Sequence, residues 1–288
     1  MTGERRDAPG GTAAETWLVA LDIDGTLLTY DGVLSEGVRQ AVADVRAAGH
    51  EVVLASGRSL IAMLPVADAL GIREGWIVAS NGAVTVRLDP AAPQGWTLED
   101  MVTFDPGPAL RLLRTELPDA RYAVEDVGVG FRMNALFPDG ELDGEHRVVE
   151  FEELWSGGGV TRVVVRSPES TSDQFHALAG RLGLDDVTYA VGWTAWMDLA
   201  PLGTSKATAL EQVRERLHLD ARRTLAIGDG HNDLEMLRWA ARGVAMGHAD
   251  DVVQGAAGEV TGSIEEDGAA RVLRSLVAPE SGRAATAR

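Results

Sequence analysis

No cysteine occurs in the 288 residues, which removes thiolate nucleophiles, thiolate metal sites and disulfides together and leaves the redox compartment undetermined. Basic residues are scarce beside acidic ones: 26 Lys plus Arg stand against 44 Asp plus Glu, a formal charge of −18. A chain so anionic repels phosphate backbones and anionic lipid headgroups at long range, so neither nucleic acid nor a membrane is an expected partner. A local basic pocket could still hold one small anion. No apolar run approaches the ~20 residues that span a bilayer. The opening MTGERRDAPGGTAAE lacks the apolar middle of a secretory signal, so the expected location is cytoplasmic. What the chain does have is a 45% hydrophobic content, which marks it as globular, and a length that suits two domains better than one.

The pattern divides the chain in the same sense. Apolar runs WLVAL, EVVLAS and WIVAS alternate with helical periods up to Asn81, as in a parallel sheet covered on both faces. Ser35 suits a helix N-cap, Val38, Val42 and Val45 share a face, and Gly49 suits the exit. After Thr204 the same grammar resumes, with a helix carrying Leu210, Val213 and Leu217, the strand TLAIGD, a second helix and GVAMG. Residues 16–83 and 200–277 therefore read as one α/β core domain with a Rossmann-like parallel sheet.

Residues 84–199 read as an inserted α+β domain, a cap, with tails at 1–15 and 278–288. AVTVRL and WTLEDMVTF suggest a hairpin, followed by a helix at 107–117 and the strands RYAVED and GVGFRMN meeting at Gly128. TRVVVRS, a helix at 171–182, VTYAVG and TAWMDLA complete the insertion. A helix followed by two strands thus appears twice. Of the seven Trp residues, Trp193 and Trp196 fall on opposite faces of a strand, which places at least one in the core.

Open parallel sheets bind ligands beyond the carboxyl ends of their strands, and those ends carry reactive groups here. The first strand delivers Asp22 and Asp24 into a Gly25-Thr26 turn, the second ends in Ser56-Gly57-Arg58, and another in Asp229, followed by Asn232 and Asp233. Four carboxylates converging in one crevice repel one another unless a cation compensates, and hard oxygen donors suit Mg2+. Lys206 opens a helix, where the dipole disfavours a cation by up to ~1 kcal/mol unless an anion sits against it. A helix N-terminus, a hydroxyl, an ammonium and a metal together describe a phosphate site. Singly these signals are ordinary: a lone DGT is a turn, Asp233 a helix cap, Ser56 a strand-end hydroxyl. His231 and His248 read as surface or loop residues. Arg58, Arg87, Arg132 and Arg162 could line an anion site but read first as solvated charges.

The ordered set is more specific. DIDGT at 22–26, ASGR at 55–58, Lys206 in GTSKATAL and GDGHNDLEML at 228–237 resemble the four signature motifs of the haloacid dehalogenase superfamily. Roughly 120 residues between SNGA and Lys206 resemble the Cof-like subgroup, whose type II α/β cap is inserted between the second and third motifs. The resemblance implies a Mg2+-dependent phosphatase of a small phosphorylated metabolite; either a monomer or a homodimer is expected. It implies Asp22 as nucleophile, Asp24 as acid and base, and Asp22, the Asp24 carbonyl and Asp229 as metal ligands. Ser56, Gly57, Lys206 and Asn232 would bind phosphate, with Asp233, Thr26 and Arg58 in support. Where the subgroup commonly shows AMGNA, this chain has AMGHA with His248, so contacts near the phosphate or leaving group differ. A phosphotransferase or mutase on the same core, or a non-catalytic ligand-binding regulator, remains open.

Overall fold

The computed structural model describes residues 16–167, 187–191 and 196–277. The expected tails, the helix at 171–182 and Trp193 lie outside the described residues.

Two sheets organise the chain. The parallel part of the larger one is β1 (Leu18–Leu21), β2 (Glu51–Ala55), β3 (Gly75–Ala79), β12 (Thr224–Gly228), β13 (Arg242–Ala245) and β14 (Glu259–Val260). A hairpin of β4 (Val84–Leu88) and β5 (Trp96–Met101) extends it, so that the strands run in the order β14-β13-β12-β1-β2-β3-β4-β5. Every residue of β1 is buried, because alternate side chains leave by opposite faces and both faces are covered. Val19 and Leu21 pack with Val42 of α1 (Glu36–Ala47), Met63 of α2 (Leu60–Ala69) and Leu273 of the last described helix, Gly268–Val277. Leu18 and Ala20 pack with Leu210 and Val213 of the helix Lys206–Arg216 and with Met236 of Leu234–Trp239. Ser35 caps α1 by accepting the Val38 N–H, which fixes where the chain turns after the first strand.

The β4–β5 hairpin forms as expected, but β4 pairs with β3. These strands thus belong to the larger sheet, and the inserted sheet does not begin at residue 84. Alternating apolar residues announce a strand without saying which sheet edge it will join.

The second sheet is built from β6 (Arg121–Asp126), β7 (Gly130–Met133), β8 (Glu145–Val148), β9 (Val163–Arg166), β10 (Val187–Val191) and β11 (Trp196–Pro201). Across it the order is β10-β11-β9-β6-β7-β8. One face meets Leu110 and Leu113 of α3 (Gly107–Glu116), and the other carries Phe131, Met133 and Phe137 with Trp196 packed edge-on. The sheet is mixed, because β8 runs parallel to β7 while the other pairings are antiparallel. All four β8 residues are exposed, so β8 carries no apolar alternation by which a sequence could announce it.

Candidate active site

Parallel pairing sets the geometry of the crevice. Leu21 stands in register with Ile227, and the Asp22 N–H donates to the Ile227 carbonyl at 3.0 Å. Asp22 and Asp229 therefore leave neighbouring strands at the same end. Lys206 comes in from the first turn of its helix, where Ser205 accepts the Thr208 N–H as N-cap. Its Nζ donates to Asp22 Oδ1 and to Asp233 Oδ1, both at 2.6 Å. Lys206 and Asp233 are fully buried and Asp22 is 5% exposed, and buried charges of this kind persist only when paired. Burial works to lower the Lys206 pKa, but Asp22 and Asp233 outweigh it and hold the ammonium above its usual range. Burial also pushes the Asp22 carboxyl well up, Asp233 and Asp229 adding to the shift and Lys206 opposing it. The second oxygen of Asp22 has no hydrogen-bond partner among the described residues.

Asp229 is held by groups from two loops. Thr26 donates to its Oδ1 at 3.2 Å, Tyr30 donates to its Oδ2 at 2.5 Å, and His248 Nε2 lies 3.6 Å from Oδ2. The His248 Nδ1 accepts the Ile264 N–H, and the buried Nε2 has no hydrogen-bond partner among the described residues. Burial raises the Asp229 pKa, against the Tyr30 hydroxyl, which lowers it. Gly25 lets the loop come this close: it has φ +79°, and a Cβ there would stand 2.2 Å from Asp229 Oδ2.

Asp22, Asp229 and Asp233 each offer an oxygen, and the three lie within 4.8 Å of one another. An all-oxygen, anionic donor set fits a hard divalent cation. Asp233 is already committed, however: its Oδ2 accepts the N–H groups of Asp229 and Gly230 while its Oδ1 takes Lys206. The expected convergence of four carboxylates is also corrected, because Asp24 turns aside. Both its oxygens accept from Arg58, Nε at 2.8 Å and Nη2 at 2.5 Å.

That pair corrects the reading of Arg58 as a solvated charge, and two other arginines follow it. Arg162, 7% exposed, binds Asp198, and Arg132 binds Asp126. Arg87 keeps half its surface beside Asp89 and Glu99. Ser56 is buried, and its Oγ accepts the Arg58 N–H. Gly57 lies under Asn81 and Asn232, whose side chains bond at 3.0 Å. His231 is an exposed partner of Asp250. Tyr30 is missing from the expected set, although it closes the stretch that holds Asp22 and Asp24. One open surface cavity lies away from this site, along Arg114, Arg147 and Phe151.

A family model for haloacid dehalogenase-like hydrolases matches residues 19–99 and 147–273. The chain belongs to that family. This hydrolase is 30% identical over 270 residues to YkrA of Bacillus subtilis, covering 90% of this chain and 97% of YkrA. Pyridoxal phosphate phosphatase YbhA of Escherichia coli is 28% identical over 284 residues, covering 90% of this chain and 98% of YbhA. Among solved structures, the haloalkanoate-superfamily phosphatase BT1666 of Bacteroides thetaiotaomicron superposes with a TM-score of 0.74 at 25% identity, covering 95% of this chain and 99% of BT1666. The subclass IIB sugar phosphatase BT4131 shares the fold, with a TM-score of 0.75 at 21% identity and coverage of 90% and 98%. The enzyme class of this haloacid dehalogenase-like hydrolase is that of a phosphoric monoester hydrolase. No helix among the described residues is long and apolar enough to cross a membrane.

Proposed function

We propose that the chain is a magnesium-dependent phosphatase of a small phosphorylated metabolite, working through an aspartyl-phosphate on Asp22. The observation that carries this reading is the buried Asp22–Lys206–Asp233 cluster at the strand ends, with one Asp22 oxygen left free. A nucleophilic carboxylate splits one difficult displacement into two easier ones. Lys206 draws the transferring phosphoryl group toward Asp22 and spreads its charge, while Asp233 holds the ammonium in place. Ser56, the Gly57 backbone and Asn232 grip the remaining phosphate oxygens. Asp24 protonates the departing alkoxide and then takes a proton from the attacking water, which requires Arg58 to release it or to move with it. Asp22, the Asp24 carbonyl and Asp229 are the residues that would hold Mg2+, which when bound screens the anionic nucleophile from the anionic substrate.

The second sheet with α3 would act as the cap that selects the leaving group, and the proposed location is the cytoplasm. A phosphorylated sugar or related metabolite is the substrate class. Support comes from relatives named for pyridoxal phosphate and for 5-amino-6-(5-phospho-D-ribitylamino)uracil, and BT4131, which shares the fold, is a sugar phosphatase. Phosphate release from a metabolite panel, with and without added magnesium, tests the reading. Release that ignores magnesium, or no release from any ester, overturns it.

A further inference from the structure

Glu125, on β6 of the second sheet, is a buried acid that the proposed chemistry does not use. It is 4% exposed, its Oε2 accepts from Ser80 Oγ at 2.6 Å and from Thr161 Oγ1 at 3.1 Å, and its buried Oε1 makes no well-formed hydrogen bond among the described residues. Burial is the largest influence on the carboxyl and raises its pKa. The Arg162 guanidinium, itself engaged by Asp198, pulls the other way, as do the two hydroxyls and the Leu60 N–H at the start of α2. A carboxylate in such a place is costly unless its hydrogen bonds and a nearby cation offset its burial.

Ser80 is the informative partner, because it belongs to the larger sheet's loop system. The Ser80–Gly82 turn follows β3, and both Ser80 (φ +50°) and Asn81 (φ +53°) adopt the left-handed conformation, which non-glycine residues hold only when their surroundings enforce it. The Ser80 N–H donates to the Arg58 carbonyl at 2.8 Å, and the Asn81 N–H donates to the Ser56 carbonyl at 3.0 Å. The Asn81 side chain holds Asn232. Gly82, with φ +101°, lies so close to the helix start that a Cβ would stand 2.2 Å from the carbonyl of Ser205, the residue before Lys206. One strained turn therefore touches the loop of Ser56 and Arg58, Asn232, and the start of the helix that carries Lys206.

We infer that Glu125 is a positioning residue that braces the Ser80–Gly82 turn from the second sheet and so holds Ser56 and Asn232 in the geometry that grips phosphate. This rests on the phosphatase reading for its kinetic consequence, not for the brace itself. Thr161 fixes the carboxylate on its own sheet, Ser80 takes the contact across, and Asn81 passes it to Asn232. No side-chain hydrogen bond of this chain of contacts ends on Asp22, Asp24 or Lys206; the turn meets them only through the Arg58 carbonyl and the backbone at the start of the Lys206 helix.

The test uses the full-length protein with Glu125→Ala, Glu125→Gln and Ser80→Ala, a small aryl phosphate as kinetic probe, and hydrogen exchange at the amides of residues 80–83. Glu125→Ala should raise KM about tenfold with kcat within about threefold, the signature of lost ground-state grip. Glu125→Gln, which keeps an oxygen for Ser80 and Thr161, should stay within about twofold of the parent in KM. Ser80→Ala should reproduce the Glu125→Ala effect, and the double variant should be no worse than either single one, as expected of partners in one contact. Amides 80–83 should exchange faster in Glu125→Ala and not in Glu125→Gln. Additive losses, or an unchanged KM with only a lowered melting temperature, would overturn the brace. If the parent protein releases no phosphate, the phosphatase reading fails, and the exchange arm still decides: unchanged exchange in both Glu125→Ala and Ser80→Ala overturns the inference.

Discussion

The floor and the rim of the site hold two acids only two residues apart in sequence, under opposite conditions. On the floor, Asp22 faces a fully buried ammonium that it shares with Asp233. On the rim, Asp24 faces Arg58, and their side chains keep 40% and 29% of their surface. Electrostatic attraction is strong and geometrically fixed where water is excluded, and weak and exchangeable where water competes. The floor is thus suited to a group whose position must not change, and the rim to a group that must gain and lose a proton.

Breaking the floor should have the largest effect. Asp22→Asn should lower turnover by about a thousandfold or more, since an amide cannot form the acyl-phosphate. Stability should be kept, because an amide oxygen can still accept from Lys206 and one buried charge is gone; phosphate release and a melting curve read the two halves. Lys206→Met should cost about 3–5 kcal/mol, because it leaves two buried carboxylates without their cation. The pH dependence has a definite sign. Asp22 binds its proton more tightly in the folded chain than its ordinary value of 3.8 allows, so stability falls as pH rises through that raised value. Removing the ammonium enlarges this, and the urea midpoint deficit of Lys206→Met should be smaller in mildly acid buffer than at neutral pH.

Rim changes should be gentler on the fold and selective in the chemistry. Asp24→Asn should slow alkyl esters sharply and aryl esters less, as aryl leaving groups hardly need protonation; equal loss on both would remove Asp24 from the acid role. Arg58→Ala should change stability by no more than about 1 kcal/mol while altering the pH profile of turnover. The smallest effect should come from Tyr30→Phe. Losing the hydroxyl on Asp229 should shift half-saturating magnesium by about tenfold, the low end of the range for partners that orient a metal ligand, and a metal titration followed by thermal shift reads this without turnover.

How far the sequence displays this contrast depends on the distance over which each contact is made. Asp22, Asp229 and Lys206 are legible because strand ends and a helix start are local patterns, and the topology of a parallel sheet then gathers them. The ion pair of Arg58 with Asp24 is not, because nothing local distinguishes a paired arginine from a solvated one. Tyr30 reaches Asp229 across most of the chain, and the contact of Glu125 with Ser80 joins two sheets. Such contacts are fixed by tertiary packing and leave no periodic trace. The β4–β5 hairpin is legible as a hairpin but not as part of the larger sheet, and β8 leaves no mark because no side of it is buried.

The order of strands also bears on how the molecule is made. Leu18 of β1 pairs with Thr224 of β12, so the central strand of the larger sheet acquires that neighbour only after everything between them has been made. Until then β1 has an open edge on that side, and Asp22 has emerged without Lys206 or Asp229. Such non-local pairing is slow to form and exposes strand edges while it waits. A nascent chain halted anywhere in the second sheet would already contain Asp24 and Arg58, but Asp22 without the ammonium that neutralises it. Chemical competence and completion of the central sheet should therefore arrive together, once β12 has been made.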